Sequence, residues 1–283
     1  MKQHSIVIVG AGIAGLTVAA ELAPRYDVTV IDRLPAVGGI LGYEHRMVRE
    51  YQRRCERLGV TFLLGATALR WEEHRLLVAS PLRIQWLAAN HLVYAGGSRP
   101  STLAEMRIVG SRLAGVLSAT VAVHLMEARV RLGNNVLVVG TGDWAERAAH
   151  EVERQKARLS VVVLDDDEVP SYGAVHWTGW VPQAVMGIAR VTGLMVERHK
   201  ERQRITCDAL IVAGTTKPLR NIDGAVFDGT NVTFVQCADN HTTTAAVHAQ
   251  ALGASAQIEG LLQSLQVKRL RPKSSGVDRS ARG

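Results

Sequence analysis

This 283-residue sequence predicts an α/β protein built on two separate parallel sheets, and three observations carry that prediction. A β-branched run at residues 5–9 is followed at once by a glycine-patterned turn and a helical stretch. The same succession recurs from residue 134. The composition agrees: 47% of residues are hydrophobic but only 5% aromatic, with 26 glycines, which suits small-residue packing of helices on buried parallel strands.

Ser-Ile-Val-Ile-Val at 5–9 reads as a strand buried on both faces, and the turn after it is Gly10-Ala11-Gly12-Ile13-Ala14-Gly15. A helical pattern continues to Leu22, and 27–31 (Asp-Val-Thr-Val-Ile) is the next buried strand, ending at Asp32 and Arg33. Gly10 permits the tight turn, Gly12 leaves no Cβ in the way of a pyrophosphate, and Gly15 lets helix and strand approach. The helix N-terminus offers unpaired N–H groups to phosphate, and Asp32 stands where an acid accepts hydrogen bonds from a ribose. Strand, glycines, helix, strand and acid in register predict a dinucleotide site.

The second copy runs from the strand at 134–139 through Gly140-Thr141-Gly142-Asp143-Trp144-Ala145. A helix at 143–158 follows, with Ala145, Ala148, Ala149 and Val152 on one face. The strand at 160–164 ends in Asp165-Asp166-Asp167-Glu168, which would repel a 2′-phosphate, so any dinucleotide held here is expected to be NAD(H) rather than NADP(H). Trp144 is bulky beside the turn and leaves open whether the second site binds a nucleotide.

Two such units in one chain resemble the two-dinucleotide-binding-domain flavoproteins, the superfamily of thioredoxin reductase and glutathione reductase. The likeness extends over about 5–263 through Gly38-Gly39, Ala95-Gly96-Gly97 after the strand at 92–94, Ala213-Gly214 after 208–212, and Cys237-Ala238-Asp239 after 232–236. It implies two Rossmann-like domains, with an NAD-type domain (104–218) inserted into a discontinuous FAD domain (1–103 and 219–266). Hinges are expected at 100–103 and near Pro218. The resemblance implies FAD contacts at Gly10, Gly12, Gly15, Asp32, Arg33, Gly38, Gly39, Ala95, Gly96, Gly97 and Asp239. It implies NAD contacts at Gly140, Gly142, Ala145 and Asp165. Residues 105–149 look similar to flavoprotein subunits of amine, opine, proline or glycerol-3-phosphate dehydrogenases.

Departures from that pattern narrow the chemistry. Disulfide reductases need two thiols in reach of the flavin, whereas Cys55, Cys207 and Cys237 lie far apart, so that activity is disfavoured. Cys55 is expected at a surface or half-buried helix position, in a helix at about 44–58. Ala238 replaces the usual glycine, and 184–197 reads as a strand. Candidate proton carriers are His241, then Glu44 and His45; Tyr43 and Asn240 could also line the flavin region. His124, His176, Trp177 and Trp180 read as core or loop residues. Nothing has metal-ligand spacing, and no hydrolase or NTPase motif appears.

The expected function is FAD-dependent exchange of hydride or electrons with NAD(H), as a subunit of a larger dehydrogenase or as a homo-oligomer. The alternatives are a self-contained NADH:acceptor reductase and a non-catalytic nucleotide-binding scaffold. The net charge of +7 is concentrated at 266–283, where six basic residues and one acid contribute +5. Residues 267–283 read as a disordered basic tail that could touch anionic lipid; no nucleic-acid partner is expected. No stretch is long and apolar enough to span a bilayer, and a cytoplasmic setting is expected.

Overall fold

The computed structural model describes residues 4–164, 169–173, 175–219, 231–235 and 243–270, with backbone only at 265–270. The chain opens with β1 (Ser5–Val9), α1 (Ile13–Leu22) and β2 (Asp27–Asp32), a strand–helix–strand unit in which β1 and β2 pair in parallel. A 3-10 turn (Gly39–Leu41) leads into α2 (Arg46–Arg57) and β3 (Thr61–Leu64). An antiparallel meander follows: β4 (Thr67–Glu72), β5 (Arg75–Ala79) and β6 (Ile84–Ala88). β7 (His91–Tyr94) then returns beside β1.

β8 (Ser98–Pro100) leaves this sheet, and β9 (Val116–Ser118), α3 (Ala119–Glu127), β10 (Asn135–Val139), α4 (Asp143–Arg154), β11 (Arg158–Val163) and β12 (Val175–Thr178) build the second unit. An antiparallel sheet of β13 (Val181–Gly187), β14 (Val191–Arg198) and β15 (Glu201–Thr206) covers one face of it. The chain returns through β16 (Ala209–Val212), β17 (Thr216–Pro218) and β18 (Val232–Phe234), and ends in the long α5 (Thr244–Leu270).

Two five-stranded sheets organise these elements, in the orders β18-β7-β1-β2-β3 and β12-β11-β10-β16-β9, with neighbouring strands parallel in both. Because β18 joins β7 from beyond the second sheet in sequence, the first Rossmann-like unit is discontinuous and the second is inserted into it. Among the described residues, β8 and β17 lie on the two crossings between the units and pair with each other as an antiparallel ribbon. Burial explains the local pattern. β7 and β16 are buried at every position, and α1 packs its Ala- and Val-rich length against both β-sheet and α5. No helix among the described residues is long and apolar enough to cross a membrane.

Several sequence expectations change in detail. The expected single strand at 184–197 is a hairpin, β13 and β14, turning at Ile188, which is 96% exposed and so cannot belong to a buried strand interior. The helix expected to reach residue 158 stops at Arg154, because Lys156 adopts a positive φ of 54° that no α-helix accommodates. Cys55 is fully buried rather than superficial: α2 turns it toward α1, where its Sγ lies 3.5 Å from the Leu16 carbonyl oxygen. Its thiol is pushed up to about 12, chiefly by burial.

Candidate functional site

The two units repeat one backbone device. At the end of β1 the Gly10 N–H donates to the Ile31 carbonyl (2.8 Å), and Ala95 N–H donates to the Val9 carbonyl (2.7 Å). At the end of β10 the Gly140 N–H donates to Val162 (2.9 Å), and Ala213 N–H donates to Val139 (2.8 Å). Gly10 and Gly140 have φ of 107° and 109°, and a Cβ on either would overlap the carbonyl oxygen of Ala95 or Ala213. Only glycine fits at either position.

The first turn opens onto a cleft lined by Gly10, Gly12, Asp32, Arg33, Gly38, Gly39 and Ala95-Gly96-Gly97-Ser98. Gly12 is the N-cap of α1 and no side chain among the described residues caps that helix, so its N-terminal N–H groups face the cleft wall. A Cβ on Gly12 would come no nearer than 3.9 Å to any protein atom, so the protein itself does not demand glycine there. The space before it is open to the cleft.

Asp32 is held by two backbone donors, Ala11 N–H to Oδ2 (2.7 Å) and Leu34 N–H to Oδ1 (2.9 Å). A carboxylate accepts at about four lone-pair sites, so each oxygen retains acceptor capacity for a ligand hydroxyl. Gly15 does not line the cleft; it lies behind the turn, where a Cβ would overlap the Gly10 carbonyl oxygen. Beside the cleft, the Tyr94 hydroxyl donates to Leu219 O (3.0 Å), and burial raises its phenol above the ordinary range.

The opposite wall comes from the second unit: Thr120 and His124 of α3, Asp143 and Trp144 at the start of α4, and Thr216 of β17. Gly140, Gly142 and Ala145 do not line this cleft; Ala145 is buried in the core between α4 and the sheet. Trp144 does not obstruct its turn as the sequence suggested. It is 7% exposed and packs among Ala119, Ala122, Val123 and Ala148, because the small side chains of α3 leave a recess for the indole. Asp165, Asp239, His241 and the neighbouring Asn240 lie outside the described residues.

A wider groove continues from the cleft between the 34–45 loop, α3 and α4. Tyr43, Glu44 and His45 line this groove and not the cleft itself. Arg147 of α4 bridges the two units there: its guanidinium donates to the Gly39 carbonyl (3.2 Å) and pairs with Glu127. Of the cleft residues not expected from the sequence, Thr120 and His124 carry no motif, whereas Thr216 lies just after the Ala213-Gly214 turn. They reach the cleft because α3 and β17 are brought against the first unit.

Among the described residues no group of three or more His, Cys, Asp or Glu side chains could hold a metal ion. The described cysteines, Cys55 and Cys207, are both buried with thiols pushed up to about 12, which disfavours the thiolate.

Residues 5–79 match the pyridine nucleotide-disulphide oxidoreductase family. Among solved structures, L-proline dehydrogenase from P. horikoshii is similar over 93% of this chain and 56% of its own, with a TM-score of 0.65 and 20% identity. This chain thus spans little more than half of that protein's length. Thioredoxin reductase from Lactococcus lactis, in its FR conformation, is similar over 92% of this chain and 100% of its own (TM-score 0.67, 16% identity). The water-forming NADH oxidase from Lactobacillus brevis, bound to NADH, is similar over 90% and 69% (TM-score 0.63, 14% identity). Residues 5–79 therefore carry the pattern of the pyridine nucleotide-disulphide oxidoreductases, and the chain as a whole shares the fold of these solved oxidoreductase structures.

Proposed function

We propose that this chain is an FAD-dependent oxidoreductase that exchanges electrons with NAD(H), as the nucleotide-binding subunit of a larger dehydrogenase. The observation that carries the reading is the convergence of both units on one cleft. The first glycine turn forms one wall, and the N-terminal residues of α3 and α4 form the other. A dinucleotide on the first turn would therefore have its far end facing the second unit.

The residues present fit FAD. The open space at Gly12 and the uncapped N-terminus of α1 would receive the pyrophosphate, and the remaining lone pairs of Asp32 a ribose hydroxyl. Gly38, Gly39 and Ala95-Gly96-Gly97 would let backbone approach the cofactor closely. Bound FAD supplies the hydride and electron chemistry; the chain supplies position, electrostatics and exclusion of water. The acidic run 165–168, which follows β11 in the sequence and lies outside the described residues, supports NAD(H) over NADP(H) by its like charge toward a 2′-phosphate. Two buried, high-pKa thiols support leaving disulfide exchange out of the proposal.

The subunit reading draws on the resemblance of residues 105–149 to flavoprotein subunits of amine, opine, proline or glycerol-3-phosphate dehydrogenases. A self-contained NADH:acceptor reductase is the second reading, favoured by the groove that opens the cleft to solvent. The test is an anaerobic absorbance titration of the flavin-loaded chain with NADH and NADPH in parallel. Bleaching of the flavin band by NADH at concentrations at least tenfold below NADPH is expected. A band indifferent to both nucleotides sinks the proposal and leaves a nucleotide-binding scaffold. Steady turnover of NADH with a small quinone by the isolated chain would favour the second reading over the first.

A further inference from the structure

We propose that His124 is the proton donor that completes two-electron reduction of a quinone-class acceptor, with Glu127 as its positioning residue. The proposal deepens the FAD/NAD(H) reading above and rests on it. His124 is the only imidazole lining the cleft among the described residues, and it also lines the groove, so it stands where cleft and groove meet. Its side chain is 39% exposed, so it faces both the cleft and the water that would recharge it.

The ring is held by more than a surface pairing. His124 Nδ1 lies 3.3 Å from Glu127 Oε2, while Glu127 Oε1 pairs with the Arg147 guanidinium, which also donates to the Gly39 carbonyl in the wall of the cleft. A carboxylate gripped from the far side cannot swing away with its histidine. Nδ1 is thereby committed to Glu127, and Nε2 is the ring atom left for proton transfer; a carboxylate orienting the second nitrogen is the recurrent arrangement for a working imidazole. One turn earlier on the same face, Thr120 lines the cleft as well, so α3 presents a hydroxyl and an imidazole together.

The chemistry requires such a donor. Oxidation of NADH to NAD+ releases two electrons and one proton as a hydride equivalent, whereas a quinone becomes a hydroquinone by taking up two electrons and two protons. The second proton leaves Nε2 of the doubly protonated His124 ring for a quinone oxygen, leaving the neutral ring with its proton on Nδ1 toward Glu127, and groove water restores the lost proton. Ferricyanide differs: NADH reduces two ferricyanide ions to ferrocyanide and releases one proton, so no donor is needed.

The experiment compares a soluble benzoquinone and ferricyanide as acceptors for NADH, using the flavin-loaded full chain and its His124→Gln variant, with flavin content per chain as the control for folding. The quinone-to-ferricyanide turnover ratio is expected to fall at least tenfold in the variant, in keeping with the usual scale of general acid catalysis. An unchanged ratio overturns the proposal, whether or not both rates fall together. A second readout needs neither turnover nor a variant of His124: nitrogen NMR of the wild-type imidazole. In its neutral form the ring is expected to keep its proton on Nδ1, with that preference lost in Glu127→Gln; a neutral form that keeps its proton on Nε2 instead overturns the positioning role and the proposal with it. If NADH and NADPH both fail to bleach the wild-type flavin, the underlying reading fails first, and that outcome is distinct from an unchanged ratio in an active protein.

Discussion

Gly10 and Gly12 stand two residues apart in one turn, yet a methyl group added to each would meet different surroundings. At Gly10 it would strike the Ala95 carbonyl oxygen at a φ of 107°, so the loss falls on the fold itself. At Gly12 the backbone is ordinary, φ −75°, and the nearest protein atom is 3.9 Å away, so the loss falls on whatever occupies the cleft. Gly12→Ala is therefore expected to change unfolding free energy by about 1 kcal/mol or less. Flavin retention through desalting, read from the absorbance ratio, should fall at least tenfold. A variant that keeps its flavin would remove Gly12 from the binding site. The same contrast explains why sequence reading found these positions: a backbone that must pass close to another group leaves glycine as its mark.

Helices α3 and α4 act together through their small faces. Ala119, Ala122 and Val123 meet Trp144, Ala145 and Ala148, and that close approach brings Glu127 and Arg147 into register above the 39–42 loop. Arg147 is only 18% exposed on its side chain, and a Cβ on Gly42 would press against its guanidinium, so the contact is a fitted one. Removing it with Arg147→Ala is expected to cost about 1.5–3 kcal/mol, the scale of a hydrogen bond to a charged group. Hydrogen exchange should show the local consequence, with faster exchange at residues 38–43 than at β1. Equal protection in variant and wild type would mean that the loop is held by the first unit alone.

At the scale of the molecule, one chain crosses between two sheets twice and must close the first behind it. The crossings are tied by the β8–β17 ribbon and by Glu105, which receives Arg99 through both oxygens (2.8 and 3.0 Å) and holds Lys217 at 3.5 Å. The Arg99 guanidinium holds the Glu105 carboxyl well below the usual carboxylate range. Closure of the first sheet comes from β18 on β7, where His91 Nε2 and Thr233 Oγ1 are 2.9 Å apart. His91 is 2% exposed, and burial lowers its imidazole to about 4, against about 6.5 in an unfolded chain. Between pH 6.5 and 4 the unfolded chain takes up a proton that the folded one refuses, so stability falls as pH falls through that window, by roughly 3 kcal/mol at its lower end. Urea midpoints at pH 7.5 and 4.5 should show the loss in wild type and a shallower one in His91→Leu. Equal slopes in the two proteins would show that His91 is not the titrating group.

The sequence by itself determined the two strand–turn–helix units, their order, and the glycines and acid of the first turn. These are local requirements: a buried parallel strand needs a continuous β-branched run, and a close backbone approach needs glycine. It did not determine that Cys55 would be buried, that 184–197 would fold back on itself, or that Trp144 would drop into a recess of alanines. In each case the outcome depends on which surface packs against the element, and that surface lies far away in sequence. His124 is the clearest instance. As one histidine in a helix it carried no signal, and only the docking of the second unit on the first places it where cleft and groove meet, with Glu127 and Arg147 behind it. A site assembled from one loop can be read in a sequence, whereas a site wall formed by another unit of the chain is decided by packing.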